Sequence, residues 1–154
     1  MSIPALHVVT VGEPRHEYAR LGCAEYAARL NRYTRLRLTR VRDSRRPGEE
    51  KRQEEGRALL AAAGRAHLVA LDPRGRNWTT EELTSFLSAA AVGGSGEVAF
   101  LVGGPDGLSD DVRSAARALW ALSRLTFPHD LAQLVLLEAL YRAASLERGD
   151  PYHR

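Results

Sequence analysis

The residues of this chain best suited to chemistry fall in its last third, in three short pieces. Leu101-Val-Gly-Gly-Pro-Asp-Gly107 is a glycine-rich turn leaving an apolar run. Leu125-Thr-Phe-Pro-His129 opens a long apolar segment with an imidazole at its start. Pro151-Tyr-His-Arg154 brings together groups that hydrogen-bond, carry charge or move protons, and a tail of that kind is expected to be tied into a site. Glycines at 103, 104 and 107 let backbone approach a ligand closely, and Pro105 stiffens the turn. The same residues also suit a tight turn that binds nothing. The imidazoles of His129 and His153 can exchange protons near neutral pH. With Tyr141, Arg142, Tyr152 and Arg154 they form a polar set that an apolar core does not tolerate unpaired. For either histidine alone, a structural role stands beside a catalytic one.

Several other chemistries lack their residues. No Gly-Lys-Ser/Thr follows the glycine turn, so it is not a P-loop, and no G-x-G-x-x-G follows the first apolar run. Histidines 7, 16, 67, 129 and 153 show no H-x-x-x-H or cysteine-paired spacing, and no metal is expected. The single cysteine, Cys23, can form no internal disulfide and is read as a small buried hydrophobe. No nucleophile elbow is present.

The elements that must position these residues follow from apolar periodicity. Leu6–Val11 reads as a buried strand ending at Gly12, and Glu17–Tyr33 as a helix with Tyr18, Leu21, Ala24 and Ala28 at helical spacing. Leu36–Val41 is a half-exposed strand, and Pro47-Gly48 precedes a charged helix over Glu49–Ala63 that closes at Gly64. His67–Leu71 is a third strand, leading into a polar turn over Asp72–Asn77. Thr79 and Glu82 form a capping box for a helix through Ala91, and Val98–Val102 is an apolar strand covered on both faces. Ser109 caps a helix expected to run to about Leu122, and the last helix begins near Pro128 and ends before Gly149. Strands alternating with helices predict an α/β fold, a mainly parallel sheet covered by helices. His7 and His67 fall in strands and are expected to pack rather than ligate. In such sheets ligands bind beyond the carboxyl ends of the strands. That places Leu71-Asp72, Gly103–Gly107 and Leu122–Phe127 around one site.

At 154 residues the chain suits a single domain, residues 1–154. Its longest apolar runs, such as Ala58–Ala63, are too short to span a membrane, residues 1–12 lack the features of a signal peptide, and a cytoplasmic location is expected. Charge is unevenly spread. Residues 1–76 carry 16 basic against 9 acidic side chains and residues 77–154 carry 6 against 10, so any basic surface belongs mainly to the first half. Arg35, Arg37, Arg40, Arg42, Arg45 and Arg46 cluster within twelve residues. A solvated edge strand explains them, and so does a phosphate-binding surface.

Val102-Gly-Gly-Pro-Asp-Gly107, Leu125-Thr-Phe-Pro-His129, Leu140-Tyr-Arg-Ala143 and Pro151-Tyr-His-Arg154 together resemble the signature of the RlmH-type ribosomal RNA methyltransferases, of the SPOUT class of α/β-knotted enzymes. The resemblance spans essentially the whole chain, including Ala61-Ala-Ala-Gly64 and Leu71-Asp72. It implies a C-terminal trefoil knot, a homodimer, and S-adenosylmethionine bound by Leu71, Gly103, Gly104, Leu122, Ser123, Arg124, Leu125, Thr126 and Phe127. It further implies a substrate, a pseudouridine in a large-subunit ribosomal RNA hairpin of the assembled ribosome, methylated at N3. The residues it puts at the chemistry are His129, Arg142, Tyr152, His153 and Arg154, with either histidine as the proton acceptor. Two positions depart from the family pattern: Glu13 follows Gly12 where lysine is usual, and Gln133 stands where the last helix usually carries arginine. An alternative of another class is a ribosome- or RNA-binding module that keeps the fold without catalysis, and a third is a small α/β enzyme acting on a free nucleotide.

Overall fold

The structure is a computed structural model that describes residues 3–94 and 96–153. Five strands and five helices alternate: β1 (Ala5–Val11), α1 (Glu17–Leu30), β2 (Leu36–Val41), α2 (Gly48–Ala63), β3 (His67–Arg76), α3 (Thr80–Val92), β4 (Glu97–Val102), α4 (Asp110–Ala115), β5 (Ala118–Trp120) and α5 (His129–Arg148). All strand pairs are parallel and the sheet order is β2-β1-β4-β3-β5. Parallel strands covered on both faces read as continuous apolar runs, and β4 is buried at every position from Val98 to Val102.

Side chains along each strand alternate between two cores. Leu6, Val8, Val69, Val98 and Phe100 face α1, α3 and α5, meeting Cys23, Leu87, Leu136 and Leu140. Val9, Val11, Leu68, Ala70 and Leu101 face α2 and α4, meeting Leu59 and Val112. Cys23 lies in the first core, where burial pushes its thiol up. His7 is also buried, its Nε2 2.7 Å from Thr39 Oγ1 and its Nδ1 3.1 Å from the Arg37 guanidinium. An arginine nitrogen only donates, so Nδ1 accepts and Nε2–H donates to Thr39.

The capping box forms as expected: Thr79 Oγ1 accepts from the Glu82 N–H at 3.0 Å and Glu82 Oε1 from the Thr79 N–H at 2.8 Å. Two segments differ from the sequence reading. The helix expected from Ser109 to Leu122 stops at Ala115, and the rest becomes β5. Alanine, leucine and arginine favour helix, but Ala116 turns extended and the Arg117 N–H donates to the Leu68 carbonyl at 2.9 Å, so sheet pairing overrides propensity. The polar turn after Leu71 is instead part of β3, which continues to Arg76 past a register shift opposite Trp120. Gly75 is required there: a Cβ would lie 2.4 Å from the Leu119 carbonyl carbon.

Candidate active site

The carboxyl ends of β3, β4 and β5 open into one cavity of about 630 Å³, within the range of small-molecule sites. Leu71, Gly103, Gly104 and the whole stretch Leu122–Phe127 line it, together with His129. Much of the wall is backbone, because the loop after β4 folds tightly on itself. A Cβ at Gly103 would meet the Gly107 carbonyl oxygen at 2.8 Å, and Gly107 itself has φ +85°, the left-handed region that favours glycine. The loop after β5 is tied down by Asn77, whose side chain donates to the Ala121 carbonyl at 3.0 Å, and by Ser123 Oγ, which accepts from the Leu125 N–H at 2.9 Å.

Charged groups sit around this wall. Asp72 is buried at the register shift within β3; its Oδ1 accepts from the Arg74 N–H at 2.8 Å, and its Oδ2 lies 3.4 Å from the Arg113 guanidinium. Arg113 also donates to the Leu108 carbonyl at 2.7 Å, bracing the glycine loop from behind. A second brace runs through α2. Lys51 Nζ lies 2.9 Å from Asp43, 3.7 Å from Glu55 and 3.9 Å from Asp106 of the loop. Glu55 is buried, accepts from the Ser44 N–H at 2.9 Å, and its other oxygen stands 3.4 Å from the position a Cβ on Gly104 would take. Burial, with Asp43 alongside, pushes the Glu55 carboxyl up against the opposing pull of the Ser44 N–H and Lys51.

His129 begins α5, half-buried, with Nε2 3.0 Å from the Val11 carbonyl oxygen. A carbonyl only accepts, so in the neutral ring a bond to it puts the proton on Nε2 and leaves the lone pair on Nδ1. The Gln133 side-chain nitrogen lies 2.8 Å from the same Nε2, and an amide N–H only donates, so it and the Val11 carbonyl ask opposite roles of that atom. Amide oxygen and nitrogen exchange by a half-turn of the side chain, and the oxygen is the end that suits a protonated Nε2. The next residue, Asp130, is buried and ties the segment before α1 to α5. Its Oδ2 accepts from the His16 N–H at 2.7 Å and the Arg15 N–H at 2.8 Å, with His16 Nδ1 at 2.8 Å. Burial alone would push this carboxyl up; the bonds from His16 and Arg15 outweigh it and hold it below its usual range.

A model of the predicted SPOUT methyltransferase family matches residues 5–153. The chain is 53% identical to a protein of Deinococcus deserti over 97% of this chain and 99% of that one, and 51% identical to one of Deinococcus radiodurans over 97% and 98%. Both relatives are named ribosomal RNA large subunit methyltransferase H.

The chain belongs to the SPOUT methyltransferase family.

The fold agrees: a probable methylase family protein of Haemophilus influenzae superposes over 99% of this chain and 71% of its own with a TM-score of 0.55 at 12% identity. In this SPOUT methyltransferase the remaining sequence-selected residues lie apart from the cavity. Arg142 pairs with Glu138 at 2.6 Å and its guanidinium covers the Tyr152 ring at 4.7 Å. The Tyr152 hydroxyl lies 3.0 Å from Glu138 Oε2 and 3.2 Å from the Tyr26 hydroxyl, and burial beside these groups pushes the phenol up. The Tyr152 ring packs on Tyr141 at 4.6 Å, so the tail is held by aromatic contact and charge together. His153 Nε2 lies 3.3 Å from Glu81, while its Nδ1 is buried without a hydrogen-bond partner among the described residues. Arg154 lies outside the described residues. His129 and Arg142 are 13 positions apart on α5, about 20 Å along a helix axis. Within one chain, therefore, His129 joins the cavity and the cluster of Arg142, Tyr152 and His153 does not.

Sequence reasoning passed over Asp130, Arg113, Lys51 and Glu55. A second acid beside His129 at a helix start was a visible signal for Asp130. Lys51 and Glu55 stand four positions apart on one helix face, but their partners Asp43, Ser44 and Asp106, and the Asp72 that Arg113 meets, arrive only by folding.

Proposed function

We propose that this chain catalyses methyl transfer from S-adenosylmethionine to N3 of a pseudouridine in a large-subunit ribosomal RNA hairpin of the assembled ribosome. The observation that carries this reading is the single cavity in which Leu71–Arg74 of β3 and the loops after β4 and β5 meet the His129 ring. Its residues suit the donor. Backbone groups of Leu71, Gly103, Gly104 and Leu122–Phe127 can read an adenine ring without charged side chains, and the acidic Asp72 is at hand for a cationic ligand. When bound, S-adenosylmethionine supplies a methyl group on a positively charged sulfur.

The chain's own residues provide alignment and a proton acceptor. The N3 imide is weakly acidic and must lose its proton as the N3–methyl bond forms. His129 lines the cavity wall with its Nε2 turned to the Val11 carbonyl and Gln133, and the acceptor this reading uses is the Nδ1 lone pair of the neutral ring. Holding N3 in line with the methyl–sulfur bond that breaks supplies much of the rate. His153, the other candidate for the acceptor, lies with Tyr152 beside Arg142 of α5 and away from the cavity, and in this reading a second copy brings the cluster to its partner's cavity. A homodimer does so. Tyr18 and Leu21 of α1 are 51% and 64% exposed, an apolar surface beside α5 for a partner to cover. In such a pair Arg142 and Arg154 stabilise charge on the pyrimidine carbonyls or clamp phosphate, and Tyr152 contacts the base. The same reading includes a trefoil knot in the C-terminal half and an RNA-facing role for the arginines of residues 35–46.

The test is transfer of labelled methyl from S-adenosylmethionine to ribosomes that lack the modification, followed by mass mapping of the RNA. One methylated pseudouridine, modified at N3, is the expected result. Transfer to another position overturns the substrate assignment, and absence of transfer by a chain that binds both donor and ribosome overturns the activity.

A further inference from the structure

The two edges of the sheet are β2 and β5, and arginines gather at both. At β2 the charge is partly spent: Arg37 is paired with Glu97 at 2.9 Å, and Arg46 with Glu50 at 3.0 Å and Glu54 at 2.8 Å. At β5 a second groove of about 700 Å³ runs beside the edge strand. Arg74, Arg76 and Arg117 line it over an apolar floor that includes Phe86 and Leu119. Arg76 and Arg117 are exposed and form no ion pair among the described residues. The acid in the groove, Glu82, is occupied in capping α3, where it accepts from the Thr79 N–H at 2.8 Å. Arg74 is within 3.7 Å of Asp72 and lines the methyl-transfer cavity as well as the groove, so the two spaces adjoin.

We propose that the groove along β5 is a docking track for the RNA backbone, in which Arg76 and Arg117 hold phosphates and Arg74 marks the passage to the cavity. The proposal rests on the ribosomal RNA reading above and adds to it the side from which the strand enters. The groove offers fixed positive charge without base-reading groups: Trp78 cannot serve as a stacking platform, because its ring is already packed between Phe86 at 4.9 Å and Trp120 at 5.2 Å. Phosphate contacts of this kind position a nucleic acid without specifying its sequence.

Charge at an edge strand also deters aggregation, and either sign serves that purpose. Charge reversal therefore separates the two roles. Arg76→Glu/Arg117→Glu and the neutral Arg76→Gln/Arg117→Gln are compared with wild type by fluorescence anisotropy of a labelled, mixed-sequence single-stranded RNA 12-mer across a salt series. Equilibrium binding of S-adenosylmethionine and a thermal melt serve as controls for the fold. The expected result is RNA affinity reduced about tenfold or more in the Glu pair and less in the Gln pair, with a salt slope shallower by about 1.4 for the Gln pair, two contacts at about 0.7 each. Unchanged affinity and slope in both variants overturn the proposal, as does a wild type that fails to bind the RNA. Methyl transfer to ribosomes is scored separately. Wild type that binds RNA through the groove yet transfers nothing overturns the activity and leaves the docking track standing.

Discussion

The Nε2 of His129 lies 3.0 Å from the carbonyl oxygen of Val11, joining the first turn of α5 to the end of β1 across 118 positions of sequence. Protonated at Nε2, the ring keeps its lone pair on Nδ1. His129→Ala should lower single-turnover methyl transfer by about 100-fold or more, the usual contribution of a positioned base, with donor affinity little changed. The same measurement on His153→Ala, at several pH values, assigns the acceptor. An unchanged rate for His129→Ala moves the role to His153 or to water.

The glycine loop tolerates methyl groups unequally. A Cβ at Gly103 meets the Gly107 carbonyl oxygen at 2.8 Å, whereas one at Gly104 meets Val11 Cγ1 at 3.3 Å and Glu55 Oε1 at 3.4 Å. Gly103→Ala should strain the folded loop by about 1–3 kcal/mol, as overpacking typically costs, and weaken donor binding by displacing its backbone, and Gly104→Ala should do so less. Calorimetric titration with S-adenosylmethionine checks the order. Equal losses would mean the loop adjusts freely.

Asp130 is expected to matter for stability before it matters for chemistry. Asp130→Ala leaves the Arg15 and His16 N–H groups without their acceptor and should cost about 1.5–3 kcal/mol in urea denaturation, the range for bonds to a charged group. Because its folded pKa is depressed, this contribution is present above the ordinary value of 3.8 and is lost as pH falls through the folded value. A variant with wild-type stability at pH 7 would show that solvent replaces the carboxylate.

His7 gives the opposite kind of dependence on acid. Burial first, then the Arg37 cation, hold its pKa below 6.5 against the pull of Glu97, so it is neutral in the fold. As pH falls below 6.5 the unfolded chain takes up the proton first, and stability declines until the folded value is reached. His67 is also lowered, by burial and then Arg117, and acts in the same direction. Urea midpoints at pH 7.5 and 5.5 should therefore differ less in His7→Gln than in wild type. An identical difference would remove His7 from the account.

Deleting residues 152–154 should abolish methyl transfer while S-adenosylmethionine binding and the melting temperature stay near wild type. The tail contacts Tyr26, Glu138 and Glu81, none of which lines the donor cavity. Retained transfer would show that Tyr152, His153 and Arg154 are dispensable. Lost donor binding would place them in the cavity of the same chain.

Much of this architecture was legible in local pattern. The runs at Val8–Val11 and Val98–Leu101 read as strands covered on both faces, and Thr79 with Glu82 marked the start of α3 through reciprocal side chain–backbone bonds within a single turn. The loops at Leu71, Gly103 and Leu122–Phe127 were found by the rule that parallel sheets bind at their carboxyl ends, and one cavity receives all three. The strand β5 was not legible. Ala118-Leu119-Trp120 is short, has no alternation, and follows helix-favouring residues; it is a strand because β3 offers it unpaired backbone groups.

The sequence by itself determined the layered α/β fold, the glycine turn and the imidazole at the start of α5, because strand burial, helix capping and turn chemistry act over a few residues. Tertiary structure decided which groups meet the His129 ring, which acids brace the glycine loop, and that Arg142 of the Tyr152 cluster stands about 20 Å along α5 from His129. Those outcomes depend on groups such as Val11, Asp43 and Asp106 arriving from distant parts of the chain, and a contact between remote residues leaves no periodic trace in either of them.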